Sequence, residues 1–102
     1  MAKNKYGIEE EIYQEMLNIF STIKEVKKVI LFGSRAKNEY KETSDIDLAV
    51  DLIKDDKKLL LIRNLDEMRC ALKFDVLNIK SIKNEQLISD IKNEGIIIYE
   101  KN

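Results

Sequence analysis

Apolar residues recur at steps of three and four through residues 8–26, at Ile8, Ile12, Met16, Ile19, Phe20 and Ile23. That spacing predicts an amphipathic helix of nearly five turns. Residues 29–32, Val-Ile-Leu-Phe, read as a short buried strand ended by Gly33. Residues 34–40 read as a short helix or turn. Residues 45–51 alternate with period two, placing Asp45, Asp47, Ala49 and Asp51 on one strand face and Ile46, Leu48 and Val50 on the other. Asp55 or Asp56 is the expected N-cap of a second long helix, with Leu61, Leu65, Met68 and Leu72 as its stripe. Residues 74–79 predict a third strand and residues 84–94 a short helix with Leu87, Ile88 and Ile91 inward. Gly95 stands where a left-handed C-cap is expected, and residues 96–99 close as a fourth strand.

Helices and strands alternating in this way predict an α/β (α+β) fold, a mixed four-stranded sheet covered by helices. The connection between the first two strands is too short to require that they run parallel, so a mixed sheet is expected. At 102 residues the chain suits one compact domain, residues 1–102. No stretch approaches the roughly 20 apolar residues of a membrane helix. No apolar run follows the basic residues near Met1 either, so a cytoplasmic protein is expected.

Composition narrows the chemistry. Lys and Arg total 18 against 19 Asp and Glu, a net charge of -1, so no global basic field draws the chain to nucleic acid. Histidine is absent, which excludes Ser-His and Cys-His catalytic pairs and imidazole metal sites. The single cysteine, Cys70, reads as a small core residue. Carboxylates, hydroxyls, amines and backbone amides remain.

Such groups concentrate in Gly33-Ser34-Arg35-Ala36-Lys37 and, with ten residues between it and Ser34, in Asp45-Ile46-Asp47. A hydrophobic strand running into Gly-Ser and then a helix start offers exposed amides and a hydroxyl, an anion cradle suited to phosphate. Gly33 lets the backbone approach a ligand with no Cβ in the way. Carboxylates two apart on a strand lie within about 7 Å on one face and can share a divalent cation. Hard oxygen ligands suit Mg²⁺, which keeps waters and substrate phosphates as its remaining ligands. Together the two pieces describe a nucleoside triphosphate site.

Gly33-Ser34 followed at this spacing by Asp45-x-Asp47 resembles the DNA polymerase β-like nucleotidyltransferase superfamily, and within it the minimal nucleotidyltransferases (MNT or MntA-type proteins). The resemblance implies ATP with Mg²⁺ and transfer of a nucleoside monophosphate to an acceptor hydroxyl. It also implies a third carboxylate on a later strand, and Asp75 in Lys73-Phe74-Asp75-Val76-Leu77-Asn78 matches that place. Asp75 would share a face with Leu77 and Ile79, where an unpaired charge is costly and a metal would offset the cost. A strand-edge aspartate reaching solvent is the alternative, and Asp51 and Glu42 are nearby candidates. By the same resemblance Gly33 and Ser34 would hold the β,γ-phosphates. Asp45 and Asp47 would bind Mg²⁺, and Asp75 would complete a second metal site and help deprotonate the acceptor. Arg35 either adds charge at the phosphates or lies on the surface.

Many members of that family act as antitoxins that adenylylate a HEPN-type toxin ribonuclease. The implied function is AMP transfer to a hydroxyl, tyrosine in the first instance, of such a partner in a hetero-oligomer. Two other readings stand beside it. One is a binding module that neutralises its partner by contact. The other is a transferase for a small-molecule acceptor, for which 102 residues leave no room for an acceptor domain.

Overall fold

Four strands and three helices alternate along residues 3–101, the part of the chain that the computed structural model describes, with only the backbone of Asp55. They run α1 (Glu10–Thr22), β1 (Val26–Phe32), β2 (Ile46–Leu52), α2 (Lys58–Asp66), β3 (Phe74–Asn78), α3 (Glu85–Glu94) and β4 (Ile96–Glu100), with 3-10 turns at Asp55–Lys57 and Ile79–Ser81. The sheet order is β3-β2-β1-β4. β1 is antiparallel to β2 and β4, while β3 runs parallel to β2, so the sheet is mixed as expected. The connection from β1 to β2 contains no helix long enough to carry the chain back across the sheet. The connection from β2 to β3 contains α2, and the pairing there is parallel.

The sheet is covered on both faces. On one, Val29, Leu31, Leu48, Val50 and Val76 pack with Met16 and Phe20 of α1 and Leu61 and Leu65 of α2. On the other, Phe32 and Ala49 pack with Ile91 of α3. Ala49 lies between Asp47 and Asp51 on that second face and is fully buried. The acidic face of β2 is therefore dry in its middle and polar at its two ends, Asp47 at one and Asp51 at the other. Four residues at about 3.3 Å each separate those ends by roughly 13 Å.

Several boundaries differ from the sequence expectation. α1 begins at Glu10 rather than Ile8, because the chain before it makes a turn in which the Asn4 side chain accepts from the amides of Tyr6 and Ile8. Ile8, Ile23 and Val26 are buried all the same, Val26 as the first residue of β1. Residues 34–38 form a turn and not a helix: the Lys37 amide bonds the Gly33 carbonyl at 3.2 Å, the Glu39 amide bonds that of Ser34 at 2.9 Å, and Asn38 has φ 60. The expected N-cap at Asp55 or Asp56 is instead a 3-10 turn. Lys57 precedes α2 with no side-chain cap, and α2 stops at Asp66, leaving Met68 and Leu72 in the loop before β3. β3 ends at Asn78, and Ile79 opens a 3-10 turn.

Gly95 is extended, at φ -70 and ψ 149, and not left-handed. Glycine is needed there for space, since a Cβ would fall on the Ile91 carbonyl and on Ile30 of β1. At the other end of α3, Asn84 caps the helix by accepting from the Leu87 amide at 3.0 Å. Asn84→Ala is expected to cost about 1 kcal/mol, a lost N-cap, read as a lower melting temperature.

Candidate active site

The site is built where β1 ends. Phe32, its last residue, pairs with Asp47 of β2, so the next residue, Gly33, leaves the sheet directly over the Asp47 side chain. Gly33 has φ 76, a left-handed conformation that costs an L side chain about 1–2 kcal/mol. A Cβ on it would clash with Asp47 Oδ2. Glycine is thus required twice over, by backbone and by carboxylate. The chain then makes the turn of residues 34–38, in which no backbone hydrogen bond engages the amides of Ser34, Arg35 and Ala36 among the described residues. The Ser34 hydroxyl is likewise without a partner there. The cradle is one turn rather than a helix start, so it offers amides without a helix macrodipole behind them.

β2 supplies Asp47 and, just before its first residue, Asp45. β3 supplies Asp75, which stands directly opposite Asp47 in the parallel register. Side chains in register on neighbouring strands share a face. Among the described residues, none of these three carboxylates accepts a hydrogen bond or enters an ion pair. Their mutual repulsion is visible at Asp47. Burial raises its carboxyl above the ordinary range, Asp75 and then Asp45 raise it further, and Arg35 opposes them. Asp75 itself is exposed, so the desolvation cost expected for it beside Leu77 does not arise.

The remaining acids named from sequence lie apart from this group. Asp51, at the far end of β2, faces Lys80 Nζ at 3.6 Å. Glu42 faces Lys3 Nζ at 3.5 Å. Arg35 is placed unlike either reading of it: it is 1% exposed, with its guanidinium on backbone carbonyls. Its protonated form is disfavoured by burial and supported by Tyr40, Asp45 and Asp47. The Tyr40 ring lies over it, its centroid 5.2 Å from the guanidinium carbon. No periodicity marks that role, because Tyr40 lies in an irregular segment.

The donor set fits a divalent cation brought in with its ligand. Among the described residues no three acidic side chains close into a ready-made metal cage. Mg²⁺ does not need one, since it is usually held by one or two carboxylates together with substrate phosphates. A half-buried Asp47 whose charge two neighbouring carboxylates disfavour is a place where a cation relieves repulsion. Such an arrangement can bind a metal-triphosphate and transfer a phosphoryl-linked group.

Known proteins resemble this chain. Residues 14–102 match the family described as "Polymerase beta, Nucleotidyltransferase". "Putative protein adenylyltransferase MJ1217" of Methanocaldococcus jannaschii is 32% identical over 90 residues, covering 86% of this chain and 92% of its own. "Putative protein adenylyltransferase MJ0435" of the same organism is 42% identical over 74 residues, covering 70% and 77%. Among solved structures, a toxin-antitoxin crystallised with AMP-PNP superposes with a TM-score of 0.69 at 18% identity, over 87% of this chain and 73% of that one. A nucleotidyltransferase structure from Sulfolobus solfataricus, itself described as putative, gives 0.52 at 23% identity, over 99% and 93%. These likenesses between structures establish the fold, and the family match establishes the class of enzyme. The chain belongs to the polymerase beta nucleotidyltransferase family.

Proposed function

We propose that this nucleotidyltransferase moves AMP from ATP to a hydroxyl of a partner protein, a tyrosine of a HEPN-type toxin, and so acts as its antitoxin. The observation that carries this reading is the pairing of Asp47 with Asp75 at the point where Gly33 passes over Asp47. It is supported by relatives that bear the name protein adenylyltransferase and by folds like this one found in toxin-antitoxin crystals, one with AMP-PNP.

In this reading residues 1–102 are a minimal catalytic domain in the cytoplasm, joined to its toxin in a hetero-oligomer. Gly33 and Ser34 receive the β,γ-phosphates on the turn of residues 34–38. Asp45, Asp47 and Asp75 would hold two Mg²⁺ ions, which would neutralise the triphosphate and acidify the acceptor hydroxyl. Arg35 adds positive charge near Asp45 and Asp47 without touching the phosphates, its N–H groups being engaged elsewhere. The acceptor oxygen forms a bond to the α-phosphorus. The bond from that phosphorus to the oxygen bridging to the β-phosphate breaks, and pyrophosphate leaves with the bonding electrons. The hydroxyl proton passes to Asp75 and on to water, a route open because Asp75 is exposed.

The test combines the purified chain, its HEPN-type partner and Mg-ATP. The partner's mass rises by one or more AMP units, pyrophosphate accumulates, and the partner stays inactive after the chain is removed. Unchanged mass, stoichiometric inhibition and activity that returns on separation would mean a contact inhibitor and end the adenylyl-transfer reading.

A further inference from the structure

Arg35 spends all five of its N–H donors on main-chain carbonyls. Nε donates to Ser44 at 3.1 Å; Nη2 donates to Ser44 at 2.8 Å and Glu42 at 3.2 Å; Nη1 donates to Tyr6 at 3.0 Å and Gly7 at 3.1 Å. A guanidinium carries five such donors in a rigid plane, so none is left for a ligand. No carboxylate pairs with it among the described residues. The two bonds to Ser44 converge on the peptide that leads into Asp45.

Ser44 itself is braced as well. The Ser44 amide bonds the Lys41 carbonyl at 3.0 Å and the Ser44 hydroxyl accepts from the Lys41 amide at 2.9 Å. Just past Asp45, the Ile46 amide bonds the Lys73 carbonyl at 2.8 Å, two residues before Asp75. Asp45 thus hangs between one peptide held by Arg35 and another held by the residue just before β3. The far end of the guanidinium reaches residues 6 and 7. There Gly7 has φ 73 and leaves room for the Tyr40 ring that lies over Arg35.

We propose that Arg35 is a positioning residue for Asp45: its guanidinium sets the Ser44–Asp45 peptide, and with it the direction in which the Asp45 carboxylate meets a divalent cation. The same five bonds make the segment before α1 part of that setting. The inference rests on the metal-nucleotide reading of the site and deepens it.

Arg35→Lys is the decisive variant, because it keeps the charge while gathering the donors on one nitrogen that cannot span four carbonyls on two stretches of backbone. Mn²⁺ is titrated into the chain with ATP, and free Mn²⁺ is read by electron paramagnetic resonance, with circular dichroism recording the fold. The expected result is native secondary structure with Mn²⁺ binding about 10–100-fold weaker, the range for loss of a group that orients a metal ligand. Unchanged Mn²⁺ affinity with a lower melting temperature overturns the inference, leaving Arg35 a support of the fold only. Asp45→Asn separates the two claims: if it binds Mn²⁺ as tightly as wild type, the metal reading fails, whatever Arg35 does. Should Arg35→Lys not fold, wild-type chain carries the test by nuclear magnetic resonance during a Mg²⁺-ATP titration. The Arg35 Nε–H and the Ser44 and Asp45 amides move with one midpoint if Arg35 sets Asp45. An Asp45 amide that moves while Arg35 Nε–H stays still overturns it.

Discussion

Asp47→Asn is expected to remove nucleotidyl transfer, by more than the 10–100-fold typical of a merely supporting group, and to leave a folded chain that is more stable in metal-free buffer at neutral pH. The stability half follows from the electrostatics. Folding raises the Asp47 carboxyl through burial and through repulsion by Asp75 and Asp45. A carboxyl raised on folding favours the native state while it is protonated, and that contribution is lost as pH rises through its folded-state pKa. Wild-type chain without metal should therefore gain stability as pH falls through that range. The Asn variant should lack this component and melt higher than wild type above it. Added Mg²⁺ should raise the wild-type melting temperature more than that of the variant. Melting curves across pH, with and without Mg²⁺, and an assay of AMP transfer check both halves. A variant that transfers AMP at the wild-type rate would move the chemistry away from β2.

Gly33→Val should be the most damaging substitution in the turn. A β-branched residue at φ 76 is an outlier, and strain of that kind costs about 1–3 kcal/mol. Its Cβ would also clash with Asp47 Oδ2, so the carboxylate must shift from its place beside Asp75. The variant is expected to be destabilised by about 2 kcal/mol in urea unfolding and to lose transfer even at temperatures where it is fully folded. Gly33→Ala should shift both readouts in the same direction by less. Normal transfer by folded Gly33→Val would show that the approach of residue 33 to Asp47 is incidental.

Local pattern alone was enough for the order of the four strands and the three longer helices and for the two faces of β2. Each depends on residues within a turn or two of one another: Ile46, Leu48 and Val50 alternate by strand geometry, and Leu87 and Ile91 recur by helix geometry. The boundaries were not legible, because burial is not helicity. Ile8, Val26 and Met68 are all buried outside the helices their spacing suggested, drawn in by tertiary contacts. Gly95 matched a C-cap pattern, yet its reason is the approach of Ile30 from β1.

The same division runs through the site. The spacing of Gly33, Asp45 and Asp47 is visible in the chain because one hairpin-like connection joins them. That Asp75 stands beside Asp47 was decided by the register of a parallel pairing across 28 residues, and that Gly33 rests on the Asp47 carboxylate by how β1 ends against β2. Arg35 lies furthest from what a sequence can disclose. Its partners are carbonyls, which every residue carries whatever its side chain, so no residue type at positions 6, 7, 42 or 44 could have announced them. Only the folded backbone brings those four oxygens to one guanidinium.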